Sequence, residues 1–305
     1  MKILSCSCGV YTVMDGEKRI TCRARGVFRH VGTTPLPGDE VTLRETPDGV
    51  FIDGVKERKN SLIRPALANI SRLIICVAVK DPAPSQLFTD RMTAAAEAKG
   101  IEPVIVVTKA DLDPEGAERL AAVYESAGYE TAVTGTGGVP PFEAIAGRGG
   151  ETPVIVFAGA SGAGKSTLIN RLFPELTLKT GEISGRIGRG KNTTRDTTVF
   201  PFSSDGGIIR EGDGRKPIGF VADTPGFTSL DFVKFDFLKL SELEPAFREF
   251  RPYLGKCLYS DCRHLGDEGC AVQKAAEEGS VYGGRLESYR TIYKELREKE
   301  RNYQK

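Results

Sequence analysis

Apolar and polar residues alternate in short stretches through the first 65 positions. Tyr11-Thr-Val-Met14, Ile20-Thr-Cys-Arg-Ala-Arg25, Glu40-Val-Thr-Leu-Arg44 and Gly49-Val-Phe-Ile-Asp53 keep the two-residue period of a half-buried strand. Asp15-Gly16, Pro37-Gly38-Asp39 and Asp48-Gly49 divide them as turns. Four or five short strands at this spacing predict a small oligonucleotide-binding (OB) type β-barrel over residues 1–65. The pattern changes after it. Arg72–Val79, Glu102–Val107, Thr152–Ala158 and Ile218–Ala222 are nearly unbroken apolar runs, as strands buried on both faces require. Gln86–Lys99 has helical spacing and stops at Gly100, and Thr131-Ala-Val133 is a further short strand. Strands alternating with helices predict an α/β domain over 66–230, with Ala146–Thr152 as an internal connector. Over 231–305 the dominant pattern is helical: Leu286, Tyr289, Ile292, Tyr293 and Leu296 form an apolar stripe on a long charged helix that packs on the α/β domain.

Several predicted strands end in chemistry. The strand at 152–158 runs into Gly159-Ala160-Ser161-Gly162-Ala163-Gly164-Lys165-Ser166, and Thr167 onward is a helix with Leu168, Ile169 and Leu172 on one face. Strand, glycine loop, helix is the setting in which G-x-x-x-x-G-K-S is a phosphate cradle. The loop amides and the helix N-terminus point at one anion. Lys165 reaches the β- and γ-phosphates, and the Ser166 hydroxyl holds Mg²⁺. Asp223-Thr-Pro-Gly226 follows the strand at 218–222 and matches D-x-x-G, with Asp223 holding Mg²⁺ through water and the Gly226 amide on the γ-phosphate. Between them, Gly181–Thr198 is nearly devoid of apolar residues, and Thr193 or Thr194 would close on Mg²⁺ and the γ-phosphate as a switch.

Thr108-Lys109-Ala110-Asp111 closes the strand at 102–107 and looks like the N-K-x-D of GTPases. Guanine offers two donors, N1–H and the exocyclic amine, and the Asp111 carboxylate accepts both. Adenine leaves that carboxylate unpaired and is rejected. Lys109 lies across the base. Thr134-Gly135-Thr136 resembles the loop that backs guanine in such proteins, with Thr134 and Gly135 as backbone contacts. Near the C-terminus, Cys257-x₄-Cys262-x-His264-x₅-Cys270 offers three thiolates and an imidazole within 14 residues, a closed tetrahedral shell for one structural Zn²⁺.

Composition narrows the setting. Of 305 residues, 40% are apolar and 27% charged, with net charge +1, the profile of a globular chain. There is no apolar run of membrane-spanning length and no signal-peptide pattern, so the cytoplasm is the expected compartment and a membrane partner is not expected. Seven cysteines fit a reducing compartment better than a disulfide framework. The first 65 residues carry a mild basic excess. Arg19, Arg23, Arg25, Arg29, Lys56, Arg58 and Lys59 could line a face that follows a phosphate backbone.

The base-reading loops precede the phosphate loop, the switch threonines and D-x-P-G, whereas ordinary GTPases place them last. The chain is a circular permutation. An OB barrel, a permuted GTPase and a Cys-Cys-His-Cys module together resemble the small-ribosomal-subunit-dependent GTPases of bacteria (the RsgA type). Arg58-Lys-Asn-Ser-Leu-Ile-Arg-Pro65 and Asp261-Cys-Arg-His264 extend the match. The resemblance implies GTP hydrolysis stimulated by the 30S subunit and a role in its late maturation, with 16S rRNA and 30S proteins as partners and a monomeric chain. This sequence departs from the family at two places: Asn192 stands where the family has His before the switch threonines, and Thr108 replaces its Asn. Phe227 also occupies the place where many GTPases have a water-positioning Gln, so Asn192 or the ribosome must orient the attacking water. Gly162 stands where some potassium-activated GTPases have Asn, and no K⁺ requirement by that route is expected. Two other readings remain open at this stage: a nucleotide-bound RNA-binding assembly protein with negligible turnover, and an ATP-using P-loop enzyme, disfavoured by Asp111.

Overall fold

The computed structural model describes residues 1–28, 33–63, 65–135, 138–147, 152–176, 197–223 and 238–303. The chain divides into two compact units, each gathered from distant sequence. One comprises Met1–Ile74, Pro141–Ala158 and Lys165–Phe227; the other Ile75–Pro140, Gly159–Gly164 and Thr228–Lys305.

In the first unit, β1 (Lys2–Ser7), β2 (Val10–Asp15) and β3 (Lys18–Ala24) form an antiparallel meander. β5 (Gly49–Val55) joins β3 in parallel, and β4 (Val41–Thr46) pairs antiparallel with β5. The circuit closes where Val41 N–H donates to Met1 O (3.0 Å), Ile3 N–H donates to Asp39 O (2.9 Å), and Lys2 bridges Glu40. The order 1-2-3-5-4 and back to 1 is the expected five-stranded barrel, its alternate residues Ile3, Tyr11, Val13, Cys22, Val41 and Ile52 filling the centre. The hydrophobic pattern did not single out β1, whose apolar content is little more than Ile3 and Leu4. Nor did it give the hairpin of β6 (Ser61–Ile63) and β7 (Ala66–Ala68).

Beyond the barrel the same sheet continues through β12 (Thr198–Phe202), β13 (Gly219–Asp223) and β11 (Val154–Gly159). β1 meets β12 antiparallel at Ser5 and Thr198, β12 pairs antiparallel with β13, placing Thr198 opposite Asp223, and β13 runs parallel to β11. Helix α4 (Lys165–Leu172) buries Leu168, Ile169 and Leu172, as its spacing predicts. Phe142, of the short helix α3 (Phe142–Ala146), Phe157, Phe173 and Phe202 pack edge to face beside it. The sequence pattern did not single out β12, which follows directly on a polar run; its register with β13 makes it a strand.

The second unit carries the order β10-β9-β8, from β10 (Glu130–Val133), β9 (Glu102–Thr108) and β8 (Arg72–Ala78), a strand that begins in the first unit. β9 and β10 are parallel. Helices α1 (Gln86–Ala98), capped by the Ser85 hydroxyl, and α2 (Pro114–Ser126), capped by the Asp113 carboxylate, connect them. The C-terminal helices α5 (Leu240–Ala246), α6 (Ala271–Glu277) and α7 (Gly283–Tyr303) complete this unit. Leu286, Tyr289, Ile292 and Tyr293 are buried as the stripe predicts, and Leu296 is half-buried.

A buried polar cluster ties α7 to α1. Arg285, 1% exposed, donates to Asp90 Oδ1 (2.6 Å), to both Glu249 carboxylate oxygens and to the Tyr129 hydroxyl, and its guanidinium faces the Tyr124 and Tyr129 rings. Arg248 reaches Glu97 (2.5 Å) and Glu102 (2.7 Å) and also lies over Tyr129. Among the described residues no helix is long and apolar enough to cross a membrane.

Candidate nucleotide site and metal centre

The phosphate loop occupies the turn from β11 into α4. A Cβ on Gly159 would come within 2.6 Å of the Cys76 carbonyl oxygen, so only glycine lets this strand end run so close to its neighbour. Gly162 and Gly164 take φ of +78° and +80°, the left-handed region that turns the loop tightly back into the helix. Ala163 is buried, Ala160 half-buried and Ser161 exposed. Lys165 and Ser166 open α4, both half-buried, with Thr167 exposed after them.

The base-reading loops meet one another and the phosphate loop. Lys109 turns left-handed (φ +57°) and starts the 3₁₀ turn Ala110–Leu112 that carries Asp111, which is solvent-exposed. Thr134 N–H donates to Val107 O (2.8 Å) and Ala110 N–H to Thr134 O (3.2 Å), locking the second loop onto the first. Gly135 sits against Asp111: a Cβ there would lie 3.2 Å from the carboxylate oxygen. Thr108, 4% exposed, donates its hydroxyl to the Ala163 carbonyl at 2.8 Å. Thr108 thereby ties its own loop to the phosphate loop. A neighbouring loop also takes part, and nothing in its sequence marked it: Asp81 O accepts from the Lys109 ammonium, and Pro82 packs beside Gly162.

Asp223 ends β13. Thr136, Asn192, Thr193, Thr194, Gly226 and Phe227 lie outside the described residues.

The four predicted ligands converge. The ligand atoms of Cys257, Cys262, His264 and Cys270 all lie within 4.8 Å of one another. His264 Nδ1 is 3.6 Å from Cys257 Sγ, 3.7 Å from Cys262 Sγ and 3.3 Å from Cys270 Sγ. Zn–S bonds of about 2.3 Å and a Zn–N bond of about 2.0–2.1 Å at the tetrahedral angle imply S···N edges of about 3.6 Å. The cluster is compatible with zinc. Backbone amides of His264, Ala271 and Gln273 donate to Cys262, Cys257 and Cys270 sulfurs at 3.3–3.4 Å, bonds that favour thiolates. Burial and the neighbouring thiols push the Cys262 thiol up to about 12. A cation among the sulfurs reverses that penalty.

The barrel's basic residues are more engaged than their sequence suggests. Arg58 grips Asp39, itself fully buried, with two 2.7 Å bonds and also donates to Thr34 O. Arg25 pairs with Asp53, Lys56 with Glu40 (2.9 Å), and Arg19 donates to Ile209 O (2.9 Å). Arg58 and Arg19 are tied into the fold, so the continuous cationic face drawn from the sequence is reduced. Arg29 lies outside the described residues.

Comparison with known proteins agrees with this architecture. Residues 55–233 match the model of the RsgA GTPase family and residues 2–50 that of the RsgA N-terminal domain. The small ribosomal subunit biogenesis GTPase RsgA of Bacillus velezensis is 37% identical, covering 99% of both chains. Its counterpart in Moorella thermoacetica is 38% identical, covering 97% of each. Among solved structures, YjeQ from Thermotoga maritima superposes with a TM-score of 0.78 at 29% identity, covering 97% of both chains. YloQ, described as a circularly permuted GTPase, gives 0.74 at 28% identity over 98% of this chain and 94% of its own. With a permuted phosphate loop, base-reading loops and a Cys₃His cluster in one chain, the protein belongs to the RsgA GTPase family.

Proposed function

We propose that this chain hydrolyses GTP in the biogenesis of the small ribosomal subunit, switching its hold on the 30S particle with nucleotide state. The observation that carries this reading is the Thr108–Ala163 bond, which joins the base-reading loop to the phosphate loop. Around that join, Asp111 selects guanine, with Lys109, Thr134 and Gly135 framing the base. Gly159–Thr167 hold the phosphates, Lys165 compensating their charge. Ser166, Thr194 and, through water, Asp223 hold Mg²⁺, which neutralises charge on the β- and γ-phosphates. Thr193, Thr194, Gly226 and Asn192 serve the γ-phosphate and the attacking water. The Cys₃His cluster holds one structural Zn²⁺. The barrel over 1–65 and the zinc module over 231–305 contact 16S rRNA and 30S proteins, flanking a GTPase domain over 66–230. The protein works as a monomer in the cytoplasm.

The test is phosphate release from GTP and from ATP, with and without purified 30S subunits, beside a Lys165→Ala control. Slow, GTP-specific turnover that rises by orders of magnitude with 30S, and vanishes in the control, is the expected result. An activating partner can supply such a factor in other GTPases. Tight GTP binding with no turnover at any subunit concentration would instead make the chain a nucleotide-bound assembly protein.

A further inference from the structure

His264 brings a second nitrogen to a place where it has no hydrogen-bonded partner. Nδ1 faces the three sulfurs, so Nε2 points away from the ligand centre. The side chain is 2% exposed, and Nε2 makes no hydrogen bond. A buried ring N–H left unpaired has given up its hydrogen bond to water with nothing in return, which is costly. The ring cannot swing to find water. Phe250 and Tyr289 flank it, each ring centre 6.1 Å away, and Arg290 Nε holds the His264 carbonyl at 3.1 Å while the residue sits left-handed at φ +58°.

One acceptor stands in the right place. Glu244 Oε1 lies 3.4 Å from Nε2, close enough for attraction but not aligned as a formed hydrogen bond. Its side chain is 29% exposed and can shift by the few tenths of an ångström required. We infer that Glu244 is the outer partner of the metal centre: its carboxylate accepts the Nε2–H of His264 and so presents Nδ1, bare and oriented, to zinc. A carboxylate behind a ligating imidazole fixes the tautomer and raises the basicity of the ligating nitrogen. Glu244 comes from α5, the helix entered from the D-x-P-G side of the chain, and not from the ligand loop. Metal occupancy is thereby tied to an element outside the Cys-x₄-Cys-x-His-x₅-Cys segment. This inference rests on the zinc reading above.

The experiment measures zinc affinity of the full chain by competition with a chelator of known strength, and the visible spectrum of the cobalt-substituted protein. Glu244→Ala is expected to weaken zinc by about 10–100-fold and to alter the cobalt ligand-field bands. Glu244→Gln, which retains an acceptor oxygen, is expected to recover most of the affinity. Glu242→Ala is the control: Glu242 accepts the Lys239 N–H at 2.9 Å and caps the same helix without facing His264. It should leave affinity and spectrum unchanged. Native affinity in Glu244→Ala would overturn the inference while the zinc reading stands. So would an equal loss in Glu242→Ala, or a Gln variant as weak as the Ala one. A native chain that binds no zinc would overturn both.

Discussion

Asp111 and Thr108 sit three residues apart and do different work. Asp111 is exposed at the mouth of the site, where a carboxylate can accept two donors from guanine. Hydrogen bonds to a charged acceptor are worth about 1.5–3 kcal/mol, so Asp111→Ala should weaken GTP binding by roughly 10–100-fold. ATP binding should be left unchanged, and titration calorimetry with both nucleotides reads the difference. Thr108 is buried and bonded to Ala163, so Thr108→Val removes a hydroxyl at nearly constant volume and strands a carbonyl. Its effect should fall on stability, about 1–3 kcal/mol, and on phosphate affinity, with GTP and ATP weakened alike. Chemical denaturation and the same calorimetry separate these two outcomes. The motif T-K-x-D was legible as text, but the bond from its first position to Ala163 was not, because the two lie 55 positions apart. Only the fold reveals that a hydroxyl suffices for the loop-to-loop bond.

At the scale of elements, the C-terminal helices are anchored by charge as well as by the apolar stripe. Arg285 pairs with Asp90 of α1 and with Glu249, and all three side chains are buried. Arg285→Met fits the volume but leaves two buried carboxylates without a counter-charge, and about 3–5 kcal/mol of stability should be lost. Two carboxylates to one guanidinium also bias the protonation of the cluster. Burial raises the Asp90 pKa, against the opposing pull of Arg285. The folded state then holds a proton that the unfolded chain has released, so this group favours folding at low pH. Its contribution is lost as pH rises from the ordinary carboxylate value of about 3.9 through the raised folded value. Asp90→Asn should remove that fall, seen as a flatter dependence of the unfolding temperature on pH above the ordinary carboxylate value. None of this was readable beforehand. Arg285 and Asp90 lie 195 positions apart, and an arginine in a charged helical run reads as solvated until its partners are known.

For the molecule as a whole, what the sequence made legible was whatever depends on spacing alone. The phosphate loop, the order of the permuted motifs and the Cys₃His cluster are local strings whose chemistry fixes their geometry. The barrel followed from alternation. Strand β1 did not, because its apolar content is little more than Ile3 and Leu4; nor did β12, which follows a polar run and takes its identity from pairing with the distant β13. The barrel's arginines were overcounted as free cations because their acidic partners lie 19 to 28 residues away. The compact units cross the motif order, and this has a practical result. Ending the chain at residue 237 would strip α5 and α7 from α1 and leave buried Asp90 without Arg285. Such a truncation should aggregate or bind a dye for exposed apolar surface, whereas the full chain should not.

The meeting of Ser5, Thr198 and Asp223 along one row of the sheet bears on how a rearranged gene can yield a sound protein. Cutting and rejoining a chain moves its ends and leaves strands whose outer backbone groups have lost their cover. β12 has β13 on one side; on the other, its amides and carbonyls would stand open to strands of other molecules. The bridge from β1 covers the start of that edge, at Thr198. The barrel is thus also a guard against self-association, and a chain lacking it should form aggregates before it fails to bind nucleotide.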